Sequence, residues 1–258
     1  MLTEITGLVL KSVNVGESDR LITVFTKEMG TVTAMVKSAR SLKSRSMSST
    51  QQFCYSSMVL YKKGDKYWVR ESALIESFFG LRDSIEALSL AGYIVEVLAD
   101  VTVAEAEGEL LRLSLNSLYA ISEKKYPLDK IKAAFEIRAT AIIGFMPDVL
   151  SCRDCDAGNG DFFFDIMSGN IQCYSCHEKE VKDGRHEPEG EERHIVTILS
   201  EGAKIALGYC IHCPLERIFA FSITDEDMRL LCRATEEYIV NQLERSFKSL
   251  EFYNEVKR

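Results

Sequence analysis

Leu21-Ile22-Thr23-Val24-Phe25-Thr26, a turn marked by Gly30, and Thr31-Val32-Thr33-Ala34-Met35-Val36 form the stretch that decides the fold. Both runs are rich in β-branched residues, and the glycine between them is turn punctuation, so they read as a strand pair. Ile5 to Val13 precedes them with partial alternation of apolar and polar residues. Phe53 to Tyr61 and Tyr67 to Phe78 follow, with Gly64-Asp65 as the hairpin turn between them. Five short strands with no long helix among them predict a small closed or half-closed barrel.

From Leu81 onward the apolar period becomes helical. Leu88, Ala91, Val95 and Leu98 share a face; so do Leu111, Leu115, Leu118 and Tyr119, and then Ile131, Ala134, Phe135, Arg138, Ala141, Ile142 and Phe145. Pro127 precedes the last set, and Gly144 with Pro147 closes it. Residues 150–190 break the pattern and end in a polar stretch, Lys179 to Arg193. Helix is expected again over Ile195, Ile198, Leu199, Ala203 and Ala206, and over Met228, Leu231, Cys232, Tyr238, Ile239 and Leu243. Thr224-Asp225-Glu226-Asp227 is a capping-box-like start for the last. The class is α+β: a barrel over 1–80, a helical domain over 81–258, and an insert over 150–180.

The chain has 258 residues, 46% of them hydrophobic and 27% charged. That is ordinary globular composition, enough for roughly two domains. No apolar run approaches the roughly 20 residues of a membrane span, and Met1 to Ile5 lacks the features of a signal peptide. A cytoplasmic protein with no membrane partner is expected. The net charge of -8 is unevenly spread. Residues 1–80 hold 11 Lys/Arg against 7 Asp/Glu, a balance of +4, and the remainder holds 20 against 32, a balance of -12. A polyanion would therefore meet the first 80 residues and be repelled elsewhere.

Four of the eight cysteines form two Cys-x-x-Cys pairs, Cys152/Cys155 and Cys173/Cys176, with 17 residues between them. In a reducing compartment this is a metal pattern. Each pair chelates from one tight knuckle, and four thiolates complete a tetrahedron with no position left for water, so one structural Zn2+ is expected. Metal-free thiols or a redox pair are the alternatives. Phe162 to Ile171, with Ser168-Gly169-Asn170, reads as a hairpin joining the knuckles. Cys210, His212 and Cys213 offer a weaker cluster that fits a helix end packed in the core. Cys54 and Cys232 also read as core, His177 as a spare ligand, and His186 and His194 as solvated.

Lys37, Arg40, Lys43 and Arg45 lie in a serine-rich loop, and no acid occurs from Thr31 to Tyr61. Lys and Arg neutralise phosphates, and hydroxyl and backbone groups add hydrogen bonds. Lys62, Lys63, Lys66 and Arg70 follow beside Tyr61, Tyr67 and Trp68. Aromatics among cations suit stacking of single-stranded bases; the competing reading places those rings in the core and the loop in solvent. No Gly-x-Ser-x-Gly, phosphate-cradling Gly-x4-Gly-Lys or His-Glu-x-x-His is present, so no enzyme is expected.

Gly7-Leu8-Val9-Leu10-Lys11, Gly16-Glu17-Ser18-Asp19-Arg20, Thr23-Val24-Phe25-Thr26, and the run from Gly30 to Arg40 resemble the RecO family of DNA repair proteins. Ser38 stands where that family usually has glycine. Leu74-Ile75-Glu76-Ser77-Phe78 and Phe247-Lys248-Ser249-Leu250-Glu251-Phe252 also match, so the resemblance spans residues 5 to 252. It implies an OB-fold barrel followed by a helical domain carrying a zinc ribbon. It further implies binding and annealing of single- and double-stranded DNA, and cooperation with RecR in replacing single-strand-binding protein (SSB) by the recombinase RecA. RecR would meet the barrel. The SSB C-terminal tail would meet the helical domain, with Lys130, Lys132 and Arg138 as candidate contacts. The rival readings are a zinc-ribbon, OB-fold protein of RNA or transcription, a metal enzyme at Cys210, His212 and Cys213, and a scaffold for an acidic protein.

Overall fold

The computed structural model describes residues 2–41, 44, 46–101, 107–183 and 195–257. Five strands, β1 (Leu2–Val15), β2 (Asp19–Thr26), β3 (Gly30–Val36), β4 (Tyr55–Lys63) and β5 (Lys66–Glu76), close into a barrel in the order β1-β2-β3-β5-β4. Only β3 and β5 pair in parallel; the other ladders are antiparallel. This is the five-stranded OB-like architecture, fully closed. The period-2 pattern sends Val9, Ile22, Val24, Val32, Ala34, Val36, Met58 and Leu60 inward to one cluster. Where β1 crosses β2, Gly7 leaves no room for a side chain, because a Cβ would lie 2.5 Å from the Phe25 carbonyl oxygen. A one-turn helix, α1 (Ser46–Ser49), interrupts the β3–β4 connection.

The helices are α2 (Ile85–Asp100), α3 (Glu107–Ser122), α4 (Leu128–Ile142), α5 (Tyr174–Lys182), α6 (Glu201–His212), α7 (Asp225–Gln242) and α8 (Lys248–Val256). A second, three-stranded sheet has the order β7 (Ile171–Cys173), β6 (Phe162–Asp165), β8 (Val196–Leu199). None of the described helices is long and apolar enough to cross a membrane.

Two compact units emerge, Met1–Lys125 with Phe247–Arg258, and Tyr126–Ser246. The step from strands to helices falls close to residue 80, but the first unit keeps α2, α3 and α8 with the barrel. There Tyr93 meets Phe247 edge-on at 5.5 Å, and Ser249 donates its backbone N–H to Glu96 at 3.0 Å. In the second unit, α4, α6 and α7 form a helical layer beside the small sheet.

Three helical expectations need correction. Val196–Leu199 is strand β8, not helix, because its Val-Thr-Ile run pairs with β6, and α6 starts only where the Ser200 hydroxyl accepts the Ala203 N–H. The stretch beginning at Lys179 is helical up to Lys182, as the end of α5; residues 184–194, with His186 and His194, lie outside the described residues. Tyr119 is 44% exposed, since α3 buries Leu110, Leu113, Leu118 and Ile121 instead. The start of α7 is as expected: Thr224 and Asp227 form a reciprocal capping box.

Candidate metal centre and nucleic-acid interface

The first knuckle is shaped by its backbone. Cys152 donates its N–H to Ala157 at 2.8 Å, Asp156 bonds back to the Cys152 carbonyl at 3.0 Å, and Arg153 N–H bonds to Ile171 across the hairpin at 2.9 Å. The second knuckle joins β7 to α5: Cys173 precedes the helix and Cys176 lies in its first turn. The β6–β7 hairpin thus joins the two knuckles, as the sequence predicts.

All four sulfurs lie within 4.8 Å of one another, and Cys155 and Cys173 sulfurs are 3.6 Å apart. Tetrahedral Zn–S bonds of about 2.3 Å require sulfurs about 3.8 Å apart, so the set is able to hold such an ion. Burial alone would raise the Cys152 thiol, but N–H groups of Cys173, Asp154 and Cys155 outweigh it and bring it to about 7. Cys176 is pushed up to about 12 by the sulfurs of Cys155, Cys173 and Cys152 beside it. Four thiolates in one place require a cation.

Polar groups brace the cluster from outside. Arg153 reaches Asp165 at 3.5 Å and Glu180 at 3.0 Å, tying the first knuckle to β6 and α5. His177 is not a spare ligand: its Nδ1 bonds with the Gln172 side-chain oxygen at 2.9 Å, and its ring stacks on Phe163 at 3.9 Å. Cys210 and Cys213 are buried and His212 is exposed. Among the described residues they join no metal-ligating group. Cys54 is buried and Cys232 half-buried.

On the barrel, Lys37, Arg40, Lys62, Lys63, Lys66 and Arg70 are all exposed. Lys63 and Lys66 face each other across the β4–β5 hairpin. Directly opposed like charges destabilise a sheet, so this tip suits an anionic ligand. Arg70 lies 3.6 Å from Glu71. Lys62 sits over Tyr67 at 5.9 Å and Lys37 over Trp68 at 5.2 Å. Tyr67 packs against the barrel core, whereas Trp68, its neighbour on the pleated strand, faces outward.

Arg40 is more structural than its sequence setting implies. Its guanidinium donates to the Glu17 carbonyl at 3.0 Å, clamping the loop to the β1–β2 turn. Asp19 accepts the Ser38 N–H at 2.8 Å. Arg20 reaches Thr50 at 2.9 Å and Met47 O at 3.0 Å, and burial together with nearby Arg40 lowers its pKa. Asp19 and Arg20 belong to this loop base, and only the Gly16-Glu17-Ser18-Asp19-Arg20 run signalled them. Lys43 and Arg45 lie outside the described residues.

The three cations of α4 differ. Lys132 is a correction: it is 1% exposed, held at 2.9 Å from Glu136 and 2.7 Å from Glu236, and unavailable to a partner. Burial alone would discharge it, but the two carboxylates outweigh burial and hold the ammonium charged. Lys130 is half-buried, donates to the Phe221 carbonyl at 2.6 Å and lies over the Phe221 ring at 5.0 Å. Arg138 donates to the Cys210 and Ile211 carbonyls at the end of α6.

Comparison with known proteins matches both parts of the chain. Residues 1–78 fit the family model described as Recombination protein O N terminal, and residues 82–251 fit Recombination protein O C terminal. A DNA repair protein RecO of Acetivibrio thermocellus is 33% identical over 254 residues, covering 98% of this chain and 96% of the relative. One of Alkaliphilus metalliredigens is 28% identical over 259 residues, covering 99% and 100%. One of Caldicellulosiruptor saccharolyticus is 27% identical over 253 residues, covering 97% of each.

Proposed function

This chain belongs to the RecO family of DNA repair proteins, and from that premise we propose that it is a non-enzymatic mediator that binds DNA and anneals complementary strands. Its role lies in DNA repair and recombination. The observation that carries the annealing reading is the lysine-rich rim of the barrel. Lys37, Lys62, Lys63 and Lys66 are exposed around one end of β3, β4 and β5, and among the described residues none has a carboxylate within 4 Å.

Two DNA strands repel through their phosphates. A cationic rim that neutralises phosphates on both lowers that repulsion and accelerates pairing without consuming a nucleotide. The acidic remainder of the chain confines the contact to the barrel. With RecR on the barrel, and with the SSB tail on the helical unit near Lys130 and Arg138, the protein helps RecA replace SSB on single-stranded DNA. The four cysteines hold one structural Zn2+ that folds the ribbon.

Annealing of labelled complementary strands tests this. The purified protein is expected to accelerate annealing without ATP. Changing Lys37, Lys62, Lys63 and Lys66 to Ala is expected to remove about 3 units of log–log salt slope on single strands, at about 0.7 per contact. Dependence on ATP, or a slope unchanged in the variant, rejects the reading. Preference for RNA of equal sequence points to the RNA-protein alternative.

A further inference from the structure

The barrel's register places one row of apolar side chains across its outer face. Leu2 pairs with Tyr61, Tyr61 with Trp68, Trp68 with Met35, and Met35 with Leu21. Directly paired residues share a face. The face is the outer one, because the flanking Leu60, Val69, Ala34, Val36 and Ile22 pack inside the barrel. Tyr61, Trp68 and Met35 are half-buried, so each keeps part of its surface open to solvent. Two aromatic rings therefore sit side by side on adjacent strands, with Lys37 over one and Lys62, Lys63 and Lys66 at the hairpin beyond.

The next outward row on the same strands has the opposite character. Val59 is flanked by Glu4 on β1 and Glu71 on β5, and these line a cleft of about 540 Å³ that also takes in Glu28. An anionic strand is repelled from that cleft and attracted to the tryptophan level. The charge pattern thus selects both the ligand class and its course. The path runs from the hairpin lysines, over Tyr61 and Trp68, to Lys37 and the loop after β3.

We propose that Trp68 and Tyr61 stack unpaired bases and make the barrel selective for single-stranded over double-stranded DNA; this rests on the DNA-binding reading above. In a duplex the base faces are already stacked and offer nothing to a ring, while a single strand presents them. Lys37 is part of the device. Its exposed cation–π contact is weaker than base–aromatic stacking, so an arriving base displaces the ammonium, which remains free to meet the phosphate beside it.

Trp68 is the chain's only tryptophan, so its emission reports this site alone. Saturating oligo-dT is expected to quench it. Trp68→Ala is expected to weaken oligo-dT binding, read by anisotropy, about 5- to 150-fold, while duplex binding changes by no more than about 2-fold. Trp68→Phe retains most of the single-strand affinity, and the wild-type quench needs no variant at all. Circular dichroism checks that each variant folds. Emission unmoved at saturation, unchanged oligo-dT binding by Trp68→Ala, or an equal loss on duplex overturns the proposal and leaves the DNA-binding reading standing. Wild type that binds neither oligo-dT nor duplex at low salt overturns that reading itself. Unchanged DNA binding by Trp68→Ala, with loss of self-association in sedimentation, assigns the row to a protein contact instead.

Discussion

Lys132 shows what one residue can hide. In sequence it is a cation beside the apolar face of a helix, one position from Ile131. In the structure it is enclosed by Glu136, its neighbour one helical turn on, and by Glu236 from α7, with the Thr235 hydroxyl donating to Glu136 at 2.8 Å. Removing one member of a buried pair leaves the other charge desolvated and unpaired. Lys132→Met is expected to cost about 3–5 kcal/mol, and Lys132→Met with Glu136→Leu to recover most of that. Urea melts of both variants check it; a double variant as unstable as the single rejects the pairing. No local pattern could join Lys132 to Glu236, which lies on a distant helix. Ser38 shows the opposite. It stands at a family glycine position and adopts φ 49, a left-handed conformation that favours glycine. There the sequence anticipated a special backbone, and the structure holds it with the Asp19 carboxylate.

At the scale of elements, spacing was the strongest signal. Two Cys-x-x-Cys pairs and a Ser-Gly-Asn turn locate the knuckles and the hairpin from the chain alone, because the chemistry that needs them is local. The five barrel strands were legible for a similar reason, since alternation and turn residues act over a few positions. Strand β8 was not: its state is decided by pairing with β6, a neighbour in space, and a short apolar run reads equally as helix or strand. Helix α5 was missed because its nine residues bury none of their number, leaving no apolar stripe to read. The same fact yields a prediction. With none of its residues buried, α5 depends, together with the two knuckles, on the metal, worth about 10–16 kcal/mol in comparable small sites, whereas Phe162, Phe164 and Ile171 give the β6–β7 hairpin buried apolar contacts of its own. Metal analysis is expected to find one Zn2+ per chain, lost in Cys155→Ser. Strong chelation is expected to expose the first knuckle and α5, residues 152–157 and 174–182, to protease while oligo-dT binding persists, since the barrel has its own core. Loss of the barrel's binding on chelation contradicts this.

Across the whole chain the deciding quantity is how charge is divided. The net charge of -8 alone argues against DNA, yet residues 1–80 carry +4 and the remainder -12. At physiological salt, charges separated by more than about 8 Å are largely screened, so acids remote from the barrel rim neither cancel nor assist it. The affinity for single strands therefore scales with the rim lysines rather than with net charge. Four phosphate contacts at about 0.7 each give a log–log salt slope near -3, so raising salt from about 50 to about 200 mM weakens oligo-dT binding about 50-fold. Replacing exposed acids of the second unit, such as Glu178 and Glu226, by Gln is expected to leave that slope unchanged. A slope near -4 would require about two phosphate contacts more than the rim supplies. It would carry the DNA path beyond Lys37 and the β4–β5 hairpin, either onto the loop cations Lys43 and Arg45 or onto the otherwise acidic second unit. Lys43→Ala with Arg45→Ala separates those two: the excess disappears in the first case and persists in the second.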